Sequence, residues 1–583
     1  MSAPLRRSIR RSPHRPTGRS PHRPTGRTPH RPTGRASRRP ARVVVGLALA
    51  LGLGLAASAC SGSGHGGELL LARDTSASES AGSGGPQTVA TDIWAVTPGE
   101  QPSRSNRLAE SVSSPLYINS VADDGTVARD LLGTQWGGQV LSAFVTGGTT
   151  AHATVGDPGA EPTTIASAER QVQASVVRRG VYVATADGCR LARSADDITD
   201  VGSGLCQMSE DERWVVSWPA EGGELTIRDL RSGDVRRVEG TTTGAVVLGH
   251  GTSVLAVQTD GDGSRGVVID ATTGKVTGRT DRYDDLQVMP VEPDSTGFVA
   301  LASSGEQAAV VADRQLLWVG TDARTQVIDR GLLVLPVQST STVTYLRFGT
   351  QEAGSDSIRR WDSGTGARTT LLSGAVGLAA VGPDELIATR DTDTAVEVFR
   401  SNSLGELEQV AEVPGSATGG SSVGRVLTLG STSYLDLSVG AETSLVRVDL
   451  HGDHSDVPVQ GWAQMLLEGV DGDGTVLVSG RRNAESTSES IGVVAPNGDG
   501  FEERATAGAT GLNLIHEGTI YLTTRDGEDG ELTVRTVRSS GETDGETLYT
   551  GYQLAGATWP TDNGATQSTL RSRAALIAQQ QSQ

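Results

Sequence analysis

Two cysteines, Cys189 and Cys206, are the residues whose type and spacing most directly predict chemistry. They lie close together in the sequence, and in an exported protein such a pair usually forms a disulfide. By chain-entropy arguments, closing a loop of this length stabilises a fold by about 3 kcal/mol. A catalytic or metal-binding role for the two thiols is the alternative.

Two acidic turns could hold a cation. Asp260–Ser264 and Asp471–Thr475 both read Asp-Gly-Asp-Gly followed by a hydroxyl residue, like fragments of a calcium loop. A full loop needs a bidentate Glu at its twelfth position. Counted from Asp471, that position is Arg482, a cation where an anion is required. Both segments are therefore interpreted as tight hairpin turns.

Two further segments carry residues used in catalysis or metal binding. His451–Asp456 offers two imidazoles and two carboxylates, but it coincides with a repeated turn and is interpreted as a solvated loop. Gly420–Gly424 matches the Gly-x-Ser-x-Gly pattern, which requires a strand before the serine and a helix after it. A strand-like segment, Arg425–Leu429, follows it instead. We therefore predict no catalytic residue, no metal and no cofactor.

A short turn recurs along the chain and organises it. An Asp or Asn can cap such a turn through its own backbone, and a closing Gly supplies a positive φ. Several copies follow an alternating apolar run, and looser copies occur between and after the clearest ones. The clearest copies are Asp229–Gly233, Asp270–Gly274, Asp362–Gly366 and Asp449–Gly452.

Apolar strands recur with a similar period of about 40–45 residues, which is typical of propellers. Short strands with this period cannot bury both faces alone and pack radially on their neighbours. We predict an all-β fold, a single β-propeller over residues 88–560, with eight blades favoured and seven to ten left open. Residues 88–170 would supply the first blade and the closing strand; two packed propellers or a solenoid are the alternatives. Nine strands are counted, beginning at Val181, Trp214, Val254, Phe298, Val343, Leu386, Tyr434, Val476 and Ile520.

The turn in Ile269–Val276 resembles the repeat of quinoprotein-type propellers, which often place Asp-x-x-Thr-Gly after a strand. The resemblance covers roughly residues 180–550. It implies the propeller architecture, whereas the dehydrogenases of that superfamily resemble one another in a vicinal disulfide and a calcium site. Cys189 and Cys206 are not adjacent, so the resemblance does not imply that activity here. The chain is most similar in character to quinoprotein-like (PQQ/WD-type repeat) propeller lipoproteins of GC-rich Gram-positive bacteria.

The N-terminal region predicts export and a lipid anchor. Residues 1–42 are basic, with three Pro-rich octapeptide repeats between Ser12 and Arg35, and are expected to be disordered. Residues 43–60 form an apolar run too short for a stable membrane span, ending in small residues before Cys60. This ending resembles the lipobox of bacterial lipoproteins, in which the cysteine is diacylated. A plain cleaved signal peptide is the alternative.

The remaining segments and the charge complete the expected organisation. Residues 61–87 are Gly/Ser-rich and predict a linker, interrupted at Leu69–Leu71. Residues 561–583 predict a peripheral polar tail with a short helix over Leu570–Gln581. The net charge is −19, and residues 1–59 contain 13 Arg and no acidic residue. The rest of the chain, residues 60–583, is therefore strongly acidic. This argues against nucleic-acid binding, because phosphates would be repelled.

These features predict a monomeric lipoprotein on the outer face of the cytoplasmic membrane. The favoured function is a non-catalytic binding or scaffold module for a protein, peptide or envelope component, with contacts on one mouth of the ring. The alternatives are a quinone- or metal-dependent oxidoreductase or a lyase, and a sensor ectodomain partnered with a membrane protein. Convergent carboxylates, Arg and His in the channel would favour an enzyme.

Overall fold

The strands of the described residues fall into nine hydrogen-bonded sheets and form an all-β propeller, as the sequence predicted. The computed structural model describes residues 68–75, 90–120, 140–146, 150–156, 163–169, 172–177 and, with short internal gaps, 180–572. Within these residues the one helical element is a 3-10 turn at Arg104–Asn106. No helix of this part of the chain is long and apolar enough to cross a membrane.

The strands succeed one another with short connections. The first group is β1 (Leu69–Thr75), β2 (Ala90–Val96), β3 (Arg107–Ser120), β4 (Val140–Thr146), β5 (Thr150–Gly156), β6 (Thr163–Glu169), β7 (Val172–Val177), β8 (Gly180–Thr185), β9 (Gly188–Ser194), β10 (Asp197–Ser203) and β11 (Leu205–Met208). The second group is β12 (Trp214–Trp218), β13 (Gly223–Asp229), β14 (Val235–Val247), β15 (Ser253–Asp260), β16 (Gly263–Asp270), β17 (Lys275–Tyr283), β18 (Asp285–Val288), β19 (Gly297–Ser303), β20 (Gln315–Gly320), β21 (Thr325–Arg330) and β22 (Leu332–Gln338).

The second half of the chain continues the pattern. The third group is β23 (Thr342–Phe348), β24 (Ser357–Asp362), β25 (Arg368–Ser373), β26 (Ala375–Ala380), β27 (Leu386–Asp391), β28 (Ala395–Ser401), β29 (Leu407–Pro414), β30 (Ser422–Leu429), β31 (Thr432–Val439), β32 (Glu442–Asp449) and β33 (Asp456–Trp462). The last group is β34 (Gln464–Val470), β35 (Val476–Arg481), β36 (Glu489–Val494), β37 (Phe501–Ala507), β38 (Asn513–His516), β39 (Thr519–Arg525), β40 (Leu532–Arg538), β41 (Glu546–Thr550), β42 (Gln553–Ala557), β43 (Thr566–Ser568) and β44 (Arg571–Ser572).

The repeating unit is an antiparallel sheet of four consecutive strands. Seven sheets hold one such unit each, and the two seven-stranded sheets hold two units that share a long strand, β3 or β14. The first half of β14 pairs with β13 and its second half with β15, so one strand ends a unit and begins the next. All nine strands counted from the sequence are the second strands of their units, from β8 to β39.

Burial explains why the second strands gave the clearest sequence signal. A strand between two others in a sheet that packs on both faces has buried side chains on both sides, and it reads as a continuous apolar run. Every residue of β12 and of β19 is buried. Fourth strands such as β25 and β29 are largely exposed, whereas the first strand β26 is buried at its four central residues. The fourth strands therefore form the outer rim, and the first strands lie toward the axis. We call the side of a first strand that faces away from its second strand the inner edge.

The apolar clusters join neighbouring units and hold the propeller together. One cluster combines Trp214 and Val216 of one unit with Val254, Val267 and Ile269 of the next. Comparable clusters link the later units in succession. Each sheet thus buries its apolar faces against its two neighbours, which a single unit could not do alone.

The propeller is closed by strands from opposite ends of the described chain. β1 pairs with β2 on one side and with β42 on the other. Leu69, Leu70 and Leu71 are at most 1% exposed. The prediction of a linker is therefore wrong for Leu69–Thr75: its Gly/Ser surroundings suggested a tether, but these leucines fill the closing sheet.

The C-terminal segment also differs from its prediction. β43 pairs with β30, and β44 pairs with β26, so this segment joins two sheets instead of lying at the periphery. Where a helix was predicted from Leu570, Arg571–Ser572 form a strand. The remainder of the predicted helix, residues 573–581, lies outside the described residues.

Candidate functional site

The inner edges of four successive units form the candidate site. The edges of β26 and β30 are completed by the C-terminal strands β44 and β43, as fifth strands of their sheets. The next two first strands, β34 and β38, pair within the described residues only with their second strands, β35 and β39. The site therefore contains, side by side, inner edges that carry an added strand and inner edges that carry none within the described residues.

Backbone pairing and one buried leucine hold the C-terminal segment at the inner edge. Val426, Leu427 and Thr428 of β30 pair with Ser568, Gln567 and Thr566. Between the two short strands, Leu570 is only 4% exposed and packs in the cluster formed by the sheets of β27 and β31. Gly377 makes room for it, because an added Cβ there would lie 2.3 Å from Leu570 Cδ2.

A buried carboxylate lies directly behind β30. Asp436 on β31 accepts a hydrogen bond of 2.5 Å from the backbone N–H of Arg425. Gly424 allows this approach, since a Cβ at that position would lie 2.8 Å from Asp436 Oδ1. Burial raises the pKa of Asp436 to about 6, although hydrogen bonds from the backbone of Arg425, Leu467 and Gly424 oppose the rise. This carboxyl group is partly protonated under mildly acidic conditions.

A second carboxylate connects the next two units. Glu468 on β34 accepts hydrogen bonds from Ser479 Oγ at 2.5 Å and from Asn513 Nδ2 at 3.2 Å. Burial raises its pKa, and the hydrogen bonds from Ser479 and Asn513 oppose that rise. Arg425 Nη1 donates to the carbonyl oxygens of Leu467 and Glu468, at 3.1 and 2.6 Å. Side chains of three consecutive units thus form one polar network at the inner strands.

Two exposed leucines lie beside this network. Leu466 on β34 is 46% exposed, and Leu512, immediately before β38, is 37% exposed. An inner edge with apolar side chains next to it can receive an extended segment, whose backbone adds a strand while its side chains contact the apolar surface.

The predicted disulfide is present. Cys189 on β9 and Cys206 on β11 are bonded, with Cα atoms 6.2 Å apart. The bond joins two neighbouring sheets, β7–β10 and β11–β17. Gly202 provides space for it, because an added Cβ would lie 2.8 Å from Cys189 Sγ and 2.9 Å from Cys206 Sγ.

The repeated turns all connect the third and fourth strands of their units, so they lie on one face of the propeller. In Asp362–Gly366 the carboxylate Oδ1 accepts from the backbone N–H of Thr365 at 2.7 Å, and Gly366 has φ +69°. Hydrogen bonds from the Thr365 side chain and backbone lower the pKa of Asp362. The same pattern occurs at Asp229–Gly233 and Asp270–Gly274, whose glycines have φ +78° and +70°.

The turn Asp449–Gly452 differs in one respect. Asp449 Oδ1 accepts from the backbone N–H groups of His451 and Gly452, at 3.1 and 2.9 Å. The glycines that close the other three turns have a positive φ, and Gly452 does not. The glycine here avoids a steric conflict instead, since a Cβ would lie 2.2 Å from Asp449 Oδ2.

The segments considered for metal binding have structural partners. His451 Nε2 lies 3.2 Å from Glu385 Oε1 of the neighbouring sheet, and Asp456 forms an ion pair with Arg447 at 2.7 Å. Asp471 accepts from the backbone N–H groups of Glu517 and Gly518, which joins two adjacent turns. No group of three His, Cys, Asp or Glu side chains suited to a metal occurs in the described part of the chain.

The serine of the Gly-x-Ser-x-Gly match, Ser422, is the first residue of β30, so no helix follows it. Cys60 and residues 1–67 lie outside the described residues. Sequence reasoning did not identify Arg425, Asp436 or Glu468. They match no local motif, because Arg425 and Glu468 contact residues of the next unit and Asp436 lies 11 residues from Arg425 along the chain.

Comparisons with known proteins found similarity to solved structures alone, at low sequence identity. No protein-family model matches the sequence, and no curated protein matches it. Among solved structures, prolyl endopeptidases are similar at 12% identity and a TM-score of 0.29, over 58% of this chain and 55% of theirs. The tricorn protease is similar at 11% identity and a TM-score of 0.28, over 84% of this chain and 48% of that one. The β-propeller domain of the Trilobed protease from Pyrococcus furiosus is similar at 11% identity and a TM-score of 0.26, over 50% of this chain and 92% of that one. The chain thus spans about half the length of the first two.

Removing the disulfide should weaken the junction between its two sheets. We expect the double variant Cys189→Ala/Cys206→Ala to lose about 3 kcal/mol of unfolding free energy, because the unfolded chain gains the freedom of an open loop. Urea unfolding followed by circular dichroism measures the loss. A reductant should lower the stability of the wild-type protein and leave the double variant unchanged. Equal stability of both proteins under oxidising conditions would contradict a stabilising role.

The buried Asp436 should make stability depend on pH. Its pKa of about 6 exceeds that of an unfolded aspartic acid, so the protonated form stabilises the fold at low pH. This contribution is lost as the pH rises from about 4 to about 6. Asp436→Asn, which stays neutral, should therefore gain on the order of 2–3 kcal/mol relative to wild type across that window.

The measurement is the unfolding free energy at several pH values between 4 and 7, for wild type, Asp436→Asn and the control Asp187→Asn. Asp187 is exposed, so its variant should differ from wild type by a nearly constant amount. A difference between Asp436→Asn and wild type that does not change with pH would refute the assignment.

Proposed function

We propose that this propeller is a non-catalytic binding module that takes up an extended segment of a protein or peptide at its inner edges. One observation carries the proposal: β43 and β44 already occupy the inner edges of β30 and β26 as added strands. The inner edges of β30 and β26 thus hold an extended segment of the chain itself. β34 and β38, which carry no added strand within the described residues, lie beside them, and on β34 the carbonyl oxygens of Leu467 and Glu468 accept from Arg425.

The chemistry of strand addition suits this site. Backbone N–H and C=O groups supply the affinity, and side-chain pockets supply the selectivity. Leu466 and Leu512 would contact apolar side chains of the bound segment. The polar network of Arg425, Asp436 and Glu468 would hold the first strands in a fixed arrangement, because its hydrogen bonds connect strands within one unit and across neighbouring units.

The same proposal includes the anchor and the location. The lipobox-like ending at Cys60 supports a diacylated N-terminus, and two acyl chains hold a protein on a bilayer far more firmly than one. The Asp-x-x-Thr-Gly turn at Asp270–Gly274 supports quinoprotein-like repeats. The partner is then a component of the cell envelope, which the tethered propeller meets at the membrane surface.

An enzyme or cofactor binder is the second candidate. Two carboxyl groups with raised pKa, Asp436 and Glu468, lie with Arg425 at the inner strands, which is the kind of convergence that favours catalysis. A rise in melting temperature with added calcium that is lost in Glu468→Gln would favour this candidate. Identical melting temperatures with and without calcium would favour the binding module.

Site-specific photo-crosslinking tests the binding function. A photoreactive residue at Leu466 should crosslink the protein, in its own envelope, to a peptide or protein partner. The control is the same residue at Val235, which is 44% exposed and lies at the start of β14, in a fourth-strand position. A partner that is a membrane protein would favour the sensor alternative. Equal crosslinking at both positions, or none at Leu466, would contradict binding at the inner edge.

The anchor is tested separately. Cys60→Ser should abolish incorporation of labelled fatty acid and release the protein from the membrane fraction, because the thiol is the proposed acylation site. Cys206→Ser serves as the control, since Cys206 is bonded within the propeller. Unchanged labelling of Cys60→Ser would rule out this anchor and leave the binding proposal standing.

A further inference from the structure

Three arginines converge on a single aspartate where two units meet. Asp329 lies on β21, the fourth strand of its unit, and is 6% exposed. Arg347, Arg359 and Arg368 come from β23, β24 and β25, three adjacent strands of the next unit. Within the described residues, Asp329 is the carboxylate that all three approach.

The distances define a compact cluster. Arg359 Nη1 donates to Asp329 Oδ2 at 3.0 Å. Arg347 Nε lies 3.8 Å from the same oxygen, and Arg368 Nη1 lies 3.8 Å from Oδ1. Tyr345 Oη also donates to Asp329 Oδ2, at 2.8 Å. The tyrosine hydroxyl thus fixes one carboxylate oxygen of the aspartate, and the guanidinium groups lie around both oxygens.

The guanidinium groups retain unused hydrogen-bonding capacity. Each guanidinium carries five N–H donors. Beyond Asp329, Arg359 donates to Ser357 Oγ at 3.0 Å and Arg347 to the carbonyl oxygen of Arg330 at 3.3 Å. Within the part of the chain that the structure describes, Arg368 makes only the long ion pair, and its side chain is 53% exposed. The cluster therefore opens to solvent with most of its donors free to bind a ligand.

Among the described residues, the charge of the cluster is also only partly compensated. Three guanidinium groups and one carboxylate leave two positive charges, although the protein carries a net charge of −19. In other ion pairs, such as Arg213–Asp229 and Arg390–Glu397, one arginine meets one carboxylate. A phosphate group carries about −1.5 to −2 charges at pH 7 and three strong acceptor oxygens. It matches both the charge and the donor geometry, since guanidinium groups bind phosphate oxygens in pairs.

We propose that Arg347, Arg359 and Arg368 form a binding site for a phosphate group, either inorganic phosphate or a small phosphate monoester. Asp329 and Tyr345 act as positioning residues that hold Arg359 in place. The site lies between two units away from the inner edges, so it is independent of the extended-segment site.

Isothermal titration calorimetry of the full chain at constant ionic strength tests the site, with inorganic phosphate and glycerol 1-phosphate as probes. We expect wild type to bind at least one of them with a dissociation constant below about 1 mM. Arg368→Gln should weaken binding roughly tenfold, because it removes one charge-assisted contact. Arg347→Gln is the second variant, in case the first disturbs the strand. Arg324→Gln is the matched control, since Arg324 is 89% exposed and pairs with Asp322 in a neighbouring turn.

The outcomes separate the alternatives. Binding of both probes supports a site for a phosphate monoester, and binding of inorganic phosphate alone supports a site for the free ion. The proposal is overturned if wild type binds neither probe, if Arg324→Gln weakens binding as much as Arg368→Gln, or if acetate binds more tightly than phosphate.

Discussion

The pairing of β1 with β42 is the constraint on which the rest of the structure depends. Every unit buries apolar faces against two neighbours, so an unclosed propeller would expose a complete face at each end. The closing sheet prevents this with Leu69 and Leu71 from one end of the described chain and Leu554 from the other. Tyr549 adds a polar link, because its hydroxyl accepts from Gly99 N–H at 2.9 Å and lies 3.2 Å from the Thr97 carbonyl oxygen.

This closure also determines where the C-terminal segment can go. β42 holds the first-strand position of the closing sheet, so the chain leaves that strand on the inner side of the propeller. The residues that follow are then delivered to the inner edges, where β43 and β44 pair. Ring closure and occupation of the inner edge both follow from the position of β42 beside β1. The candidate binding site therefore follows from how the propeller closes and requires no added domain.

The sequence predicted those features that local physical chemistry determines. The second strands were identified because burial on both faces makes them apolar throughout, as in β19. The turns were identified because an Asp side chain caps its own backbone, as Asp362 does. The disulfide was predicted because Cys189 and Cys206 are the two cysteines that remain after Cys60 in a chain expected to be exported.

The features that were missed depend on distant contacts. The inner strands β43 and β44 pair through backbone groups, which need no apolar pattern, so a polar sequence concealed them. Leu69–Leu71 were flanked by glycine and serine, and their role appears only when β42 is placed beside them. Asp436, Glu468 and the Asp329 cluster join residues of successive units. No local window of sequence contains both partners of such contacts.

The two proposed sites use opposite kinds of recognition, and the fold explains why each lies where it does. Near the axis, neighbouring first strands converge and leave backbone groups along a narrow edge, which suits a partner recognised through its own backbone. Toward the rim, the units diverge, and long side chains such as Arg347 and Arg368 bridge the widening gap to the neighbouring sheet. Charge can accumulate there because solvent screens it. An arginine cluster of this kind at the buried inner strands would carry a large desolvation penalty, and Asp436 already shows that penalty in its raised pKa. Radial geometry thus separates recognition of the backbone at the centre from recognition of charge at the edge.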